Sequence, residues 1–203
     1  MIYVPNKFVF YHIPKTGGSW FIKNMLENCN EYCYFGSDFH YTPDMIRVHE
    51  PKNWKKVKDL PRVICVRNPL SWYLSFWKYK HRTGWGTDST YAWFRELYEC
   101  KSMSFPKFCD KMLRHCPGFL TNLYQGFLGP RLDDAEYIVK QEDLANGLWR
   151  MLKLRSVDID KETFYNYPAE NVSDPYEVKF PKGLKQEIAD QEKQIMEVFG
   201  YEV

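Results

Sequence analysis

A glycine-containing loop lies between an apolar segment and an amphipathic segment, and this order limits the folds that the chain can adopt. Residues 7–13 (KFVFYHI) are mostly β-branched, aromatic and apolar, which favours a buried strand. Residues 14–18 (PKTGG) interrupt that pattern, and residues 19–29 (SWFIKNMLENC) then carry apolar side chains along one helical face. A strand, a glycine loop and a helix in this order are the layout of a phosphate-binding site.

The position of the lysine separates this loop from the common nucleotide-binding loop. Paired glycines let backbone N–H groups approach an anion closely, and Lys15 adds a full positive charge. A Walker A loop places its lysine after the glycines, whereas Lys15 precedes Gly17 and Gly18. The sequence therefore disfavours an ordinary ATP or GTP loop. A tight turn with a surface lysine is the alternative interpretation.

A second apolar run, residues 62–67 (RVICVR), also leads into a helix. Asn68 is suited to cap that helix and Pro69 to occupy its first position. Walker-type enzymes place a metal-binding aspartate at such a strand end, but this strand ends in Arg67, and arginine binds phosphate without a metal. Ser75 lies on the helix that follows, where its hydroxyl serves either the same anion or the helix surface.

The rest of the chain alternates helices and strands, with no repeat, low-complexity run or linker. Further helices are expected at 89–100, 104–115, 119–127, 142–154 and 184–199, and a strand at 135–139. This alternation favours an α/β fold with a central parallel β-sheet flanked by helices. The length of 203 residues predicts one domain over 1–203.

The composition excludes several classes of protein. The chain is 44% hydrophobic and 18% aromatic, which excludes a disordered or collagen-like chain. No apolar stretch approaches the roughly 18 residues that cross a bilayer, and no secretory signal is visible. We therefore expect a cytoplasmic protein with no membrane partner, whose six cysteines are reduced thiols rather than metal ligands.

Positive charge is concentrated in residues 47–82. This segment has ten basic and two acidic residues, a net charge of 10 − 2 = +8, although the whole chain carries only 28 − 26 = +2. Such a segment either attracts a polyanion or forms a solvated basic face. Nucleic acid is not required as a partner.

Both loop segments resemble motifs of one enzyme family. Residues 12–20 (HIPKTGGSW) resemble the 5′-phosphosulfate loop of sulfotransferases that use 3′-phosphoadenosine 5′-phosphosulfate (PAPS), and the HIPKTGG wording is closest to carbohydrate sulfotransferases of the heparan sulfate 2-O and 6-O type. Residues 66–75 (VRNPLSWYLS) resemble the family's 3′-phosphate motif, with Trp72 where the family usually has arginine. Weaker similarities are found at 137–144 (YIVKQEDL) and 171–173 (NVS).

The resemblance implies a P-loop-like sulfotransferase fold, PAPS as cosubstrate and no required metal. The acceptor would be a hydroxyl of a carbohydrate or a small molecule, and the nucleotide product would be adenosine 3′,5′-bisphosphate (PAP). Lys15 would contact the bridging or 5′-phosphate oxygens, while Arg67 and Ser75 would hold the 3′-phosphate. The implied nucleotide site consists of Pro14, Lys15, Thr16, Gly17, Gly18, Ser19, Trp20, Arg67 and Ser75.

His40 is the candidate general base, and with Lys15 it forms the predicted catalytic pair. The His-x-Thr segment at residues 40–42 resembles the corresponding segment of related bacterial enzymes, and residues 42–44 (TPD) are a helix-start signature. A helix N-terminus disfavours imidazolium, which keeps the ring able to accept a proton. His49 and Glu142 are the alternatives.

Two other classes of function stay open on the sequence. An atypical nucleotide kinase would use the same loop with Mg²⁺ and ATP. A non-catalytic protein would use the basic segment at 47–82 to bind a polyanion, with steeply salt-dependent affinity.

Overall fold

The structure is a computed structural model that describes residues 1–31, 34–35, 57, 59–85, 97, 99–170 and 178–203. The chain divides into two compact units. The first comprises Met1–Arg67 and Tyr124–Val172, and the second comprises Asn68–Leu123 and Ser173–Val203. The single domain expected from the sequence stays a prediction.

One five-stranded sheet forms the centre of the first unit. Its strands are β1 (Ile2–Val4), β2 (Phe8–Tyr11), β3 (Tyr34–Phe35), β4 (Arg62–Val66) and β5 (Tyr137–Lys140), in the spatial order β3-β1-β2-β4-β5. Strands β2, β4 and β5 run parallel, whereas β1 is antiparallel to both of its neighbours. The antiparallel part was not predicted, and it follows from the tight turn at Asn6 (φ 62°) that joins β1 to β2.

The described helices follow the predicted order, apart from a short helix at Lys161–Asn166 that the sequence did not predict. They are α1 (Gly18–Asn28), α2 (Pro69–Thr83), α3 (Phe105–His115), α4 (Phe119–Leu128), α5 (Leu144–Leu154), α6 (Lys161–Asn166), α7 (Leu184–Gln191) and α8 (Lys193–Phe199). The mixed α/β fold with a mostly parallel central sheet and flanking helices is therefore confirmed. The expected helix start at 42–44 and most of the expected helix at 89–100 lie outside the described residues.

The core of the first unit explains where the glycine loop lies. Strand β2 and residues 63–66 of β4 are buried, as expected for the middle of a parallel sheet. Helix α1 packs on the sheet through Phe21, whose ring meets the Phe10 ring edge to face with centroids 4.9 Å apart. Because the strand and the helix are both anchored in one core, the loop between them is held at both ends.

The second unit is helical in its described part, and one buried acid organises it. Glu192 lies between α7 and α8 with no exposed surface. Its carboxylate accepts hydrogen bonds from Leu120 N (2.9 Å), Thr121 N (2.8 Å), Thr121 Oγ1 (2.7 Å) and the Tyr73 hydroxyl (2.8 Å). The single helix expected at 184–199 is broken here, because Glu192 turns inward to cap the first turn of α4.

Within the described residues, no helix is both long enough and apolar enough to cross a membrane.

Candidate active site

The glycine loop has an unusual backbone. Lys15 has φ 67° and Gly17 has φ 88°, so both adopt the left-handed conformation. For a lysine this conformation costs roughly 1–2 kcal/mol, and such strain is often found at functional sites. The buried hydroxyl of Thr16 donates to the Ile13 carbonyl at 2.8 Å, which closes the turn from within.

Both glycines also lie close to other side chains. A Cβ on Gly17 would lie 2.6 Å from Leu144 Cδ2, and a Cβ on Gly18 would lie 3.1 Å from the Phe10 ring and collide with the His12 imidazole. The half-buried His12 therefore faces the loop. The glycines satisfy the requirements of a tight turn and of close approach by an anion at the same time.

Helix α1 begins at this loop without a cap from any side chain. Gly17 occupies the N-cap position, the first turn contains no acid, and the Trp20 N–H donates to the Gly17 carbonyl at 3.1 Å. The first N–H groups of a helix have no acceptor within the helix, so those of Gly18 and Ser19 point out of its N-terminus. Together with the helix dipole, these donors favour a bound anion.

Arg67 joins the second motif to the loop. It follows the last residue of β4, and its Nη1 donates to the Lys15 carbonyl at 3.1 Å. Its backbone N–H donates to the hydroxyl of Tyr124 at 3.1 Å. The two residues that the sequence selected as phosphate ligands, 52 positions apart, are therefore in direct contact.

The second unit contains the remainder of the second motif. Asn68 caps α2 as predicted, since its Oδ1 accepts from the Leu70 N–H at 2.9 Å. Ser75 is buried on that helix. Trp72, where the family usually has arginine, is also buried, and its indole stacks on the Phe76 ring with centroids 5.1 Å apart. This position therefore contributes to packing rather than positive charge.

Three aromatic side chains of α1 and α2 have partners within the protein. The indole N–H of Trp20 donates to the Tyr167 carbonyl at 3.3 Å, and its ring packs edge to face on Phe164. The Tyr73 hydroxyl is bonded to Glu192, and the indole N–H of Trp77 donates to the Ser102 carbonyl at 3.0 Å. Packing accounts for each of these rings.

Two of the three candidate bases, His40 and His49, lie outside the described residues. The third, Glu142, is exposed on a 3₁₀ turn (Gln141–Asp143) after β5. This turn lies beside the glycine loop, because Gln141 Cγ is 3.6 Å from the position of a Cβ on Gly17.

Asp143, on the same turn, is already engaged. Its carboxylate accepts from Arg150 Nη2 at 2.7 Å and from Asn146 Nδ2 at 2.8 Å. These hydrogen bonds hold the pKa of Asp143 below its usual range, so it is a poor proton acceptor near neutral pH.

An open groove of about 460 Å³ runs between β5 and α5. Its lining includes Tyr137, Lys140, Asp143 and Arg150, and none of the predicted site residues. In the described part of the chain, no three His, Cys, Asp or Glu side chains are close enough together to hold a metal ion.

Three further residues near the site are not among the predicted site residues: Tyr124 contacts Arg67, and Gln141 and Leu144 approach Gly17. The weaker similarity at 137–144 (YIVKQEDL) indicated the region of Gln141 and Leu144. Nothing in the sequence around Tyr124 indicated its contact.

The site combines an uncapped helix N-terminus with a lysine and an arginine at the carboxyl ends of parallel strands. This combination is typical of α/β proteins that bind a phosphate-like or sulfate-like group. A match to a known protein family identifies the class of these proteins to which the chain belongs. The model of the sulfotransferase family matches residues 2–195, and the chain belongs to that family. No curated protein and no solved structure matches the chain.

Membership confirms the resemblance at the level of the family. The protein is a transferase, and its family supports the transfer of a sulfuryl group. This assignment favours sulfuryl transfer over the nucleotide kinase and the polyanion-binding protein.

Proposed function

We propose that the sulfate donor is PAPS and that the acceptor is a hydroxyl of a carbohydrate or a small molecule. The observation that carries this proposal is the hydrogen bond from Arg67 Nη1 to the Lys15 carbonyl at 3.1 Å. Through this hydrogen bond, Arg67 lies next to the glycine loop. An arginine can bind a phosphate, and the loop can bind a sulfated phosphate. A nucleotide with anionic groups at both its 5′ and 3′ positions matches this pair of sites.

The 5′ side of the donor would be held by the loop and by the N-terminus of α1. The backbone N–H groups of Gly18 and Ser19 supply donors in a fixed orientation, and Lys15 supplies a full charge. During transfer, the acceptor oxygen bonds to sulfur while the bond between sulfur and the bridging phosphate oxygen breaks. Lys15 and the helix N-terminus would stabilise the negative charge that develops on that oxygen.

The 3′ side of the donor would be held by Arg67. Its guanidinium is planar and permanently charged, so it is suited to a phosphate without a metal. The motif also predicts a contact from Ser75, and that contact stays a prediction from the sequence.

This assignment predicts selective binding of PAP. In a thermal-shift titration, PAP at a hundredfold excess over its Kd should stabilise the protein by about 2.7 kcal/mol, or about 5–10 °C. Adenosine 5′-monophosphate and ATP with Mg²⁺ should give smaller shifts, because neither carries a 3′-phosphate.

The same titration tests Arg67. Arg67→Ala should weaken the binding of PAP by about 10-fold to 100-fold. The same variant should weaken the binding of adenosine 5′-monophosphate far less. Arg62→Ala is the matched control, since Arg62 lies at the opposite end of β4 and pairs with Asp134 at 3.0 Å. Equal weakening of both nucleotides by Arg67→Ala would contradict the proposed 3′-phosphate contact. A shift produced only by ATP with Mg²⁺ would favour a kinase instead.

We also propose that His40 removes the proton from the acceptor hydroxyl. The proposal rests on the sequence around His40, and the location of Glu142 beside the loop supports the alternative. In either case the base takes the hydroxyl proton as the acceptor oxygen bonds to sulfur.

His40→Ala should lower kcat by about 10²-fold to 10⁴-fold while leaving the Kd for PAP near the wild-type value. Glu142→Gln, which keeps the size of the side chain, is the parallel variant. Full activity of His40→Ala together with a large loss in Glu142→Gln would transfer the role to Glu142. Full activity of both variants would leave His49 as the remaining candidate.

A further inference from the structure

Tyr124 is a phenol buried in the first unit. It lies on α4 with none of its surface exposed. A phenylalanine would fill nearly the same volume without bringing a polar atom into the core, so the hydroxyl needs a local reason. The hydroxyl oxygen accepts the backbone N–H of Arg67 at 3.1 Å.

This N–H lies beyond the described pairing of β4. The parallel pairing of β4 with β2 ends at Ile64 opposite Tyr11, and its pairing with β5 ends at Val66 opposite Lys140, so Arg67 lies beyond both ladders. A backbone N–H without an acceptor in this half-buried place would be costly, and it would leave the end of the strand free to shift. Tyr124 therefore fixes the backbone from which the guanidinium projects.

From this anchored backbone, the side chain of Arg67 extends to the glycine loop. Nη1 donates to the carbonyl of Lys15, which has φ 67°. Two hydrogen bonds of 3.1 Å thus connect the Tyr124 hydroxyl, Arg67 and Lys15 in series. Displacement of a binding group by about 1 Å is enough to weaken a site severely.

We propose that Tyr124 is a positioning residue for sulfuryl transfer, whose hydroxyl holds Arg67 in the place from which it selects a 3′-phosphorylated nucleotide. The proposal rests on the function proposed for Arg67. Tyr124 acts through Arg67 and does not itself contact the nucleotide.

The test is Tyr124→Phe, which deletes only the hydroxyl. The readout is the ratio of the Kd values for adenosine 5′-monophosphate and PAP, measured by calorimetry. The wild-type protein should prefer PAP, and Tyr124→Phe should reduce that preference by about tenfold. In an Arg67→Ala background, adding Tyr124→Phe should leave the ratio unchanged, because the group that reads the 3′-phosphate is already absent.

Thr121→Val is the matched control. Thr121 lies three residues earlier on α4, and its buried hydroxyl donates to Glu192 at 2.7 Å. This variant also loses one buried hydrogen bond and should lower Tm, yet it should keep the wild-type ratio of Kd values. A lowered Tm with an unchanged ratio in Tyr124→Phe would overturn the proposal and leave Tyr124 with a purely structural role.

Hydrogen exchange of the Arg67 amide in the wild-type protein gives a readout that does not depend on a stable variant. PAP should slow this exchange more than adenosine 5′-monophosphate does, because a bound 3′-phosphate would restrain Arg67. Equal slowing by both nucleotides would overturn the proposal. If the wild-type protein has no preference for PAP in calorimetry, the assignment of Arg67 itself is wrong, and the role of Tyr124 fails with it.

Discussion

Replacing Lys15 by alanine should lower the rate of sulfuryl transfer by at least about 10²-fold to 10³-fold. Among the residues of the loop, only Lys15 carries a full positive charge, and the reaction develops negative charge on the oxygen that leaves sulfur. Aligned N–H groups at the start of α1 would remain, so some binding of the donor should persist.

The structure indicates that this loss should come without unfolding. The half-buried Lys15 pays a conformational cost for φ 67°, and alanine faces a similar cost at the same position. Its backbone carbonyl, which accepts from Arg67, is present in the variant as well. Tm should therefore change little while kcat falls.

Lys23→Ala is the matched control for the loss of charge. Lys23 lies on α1, is about half exposed and pairs with Glu170 at 2.7 Å. A pair of this kind contributes roughly 0–1 kcal/mol, and its loss should leave kcat unchanged. Wild-type activity in Lys15→Ala would remove the lysine from the proposed mechanism, and a similar loss in both variants would point to a general effect of charge.

Replacing Glu192 by alanine should have the largest effect on stability. The substitution leaves four donors without their acceptor, namely Leu120 N, Thr121 N, Thr121 Oγ1 and the Tyr73 hydroxyl. Leaving such groups buried and unsatisfied should cost about 3–5 kcal/mol, or about 6–20 °C in Tm. Thermal unfolding followed by circular dichroism measures this effect.

In the native protein, the Tyr73 hydroxyl is a hydrogen-bond donor to Glu192. Burial and the neighbouring Glu192 raise the pKa of Tyr73 well above its usual value, so its hydroxyl keeps its proton at neutral pH. Glu192→Gln should also be destabilising, because a side-chain amide presents an NH₂ group to donors that need an acceptor.

Glu197→Ala is the control for this prediction. Glu197 lies on α8, is mostly exposed and pairs with Lys193 at 3.6 Å, so its loss should change stability by less than about 0.5 kcal/mol. Comparable Tm values for Glu192→Ala and Glu197→Ala would show that the hydrogen bonds to Glu192 contribute little to stability.

Both motifs were identifiable from the sequence because their chemistry is local. The strand, the loop and the helix that surround Lys15 are consecutive in the chain, and so are the strand end at Arg67 and the cap at Asn68. Binary patterning and capping act over three or four residues, so a single sequence reveals them.

Contacts between distant segments were not identifiable in this way. Tyr124 fits an ordinary amphipathic pattern on α4, and its bond to Arg67 spans 57 positions. Glu192 falls within an apparently continuous helical pattern, and only its buried partners explain why the helix breaks there. The indole of Trp20 is bonded to a residue 147 positions away, and the residues around Trp20 do not indicate that contact.

Residue types at short, fixed spacings specify the α/β class, the two motifs and the family to which the chain belongs. The contact of Arg67 with Lys15, the hydrogen bond from Arg67 to Tyr124 and the antiparallel pairing of β1 emerge only in the folded chain. A buried polar group must find a partner wherever the fold provides one. That partner is selected by packing in three dimensions and not by distance along the chain.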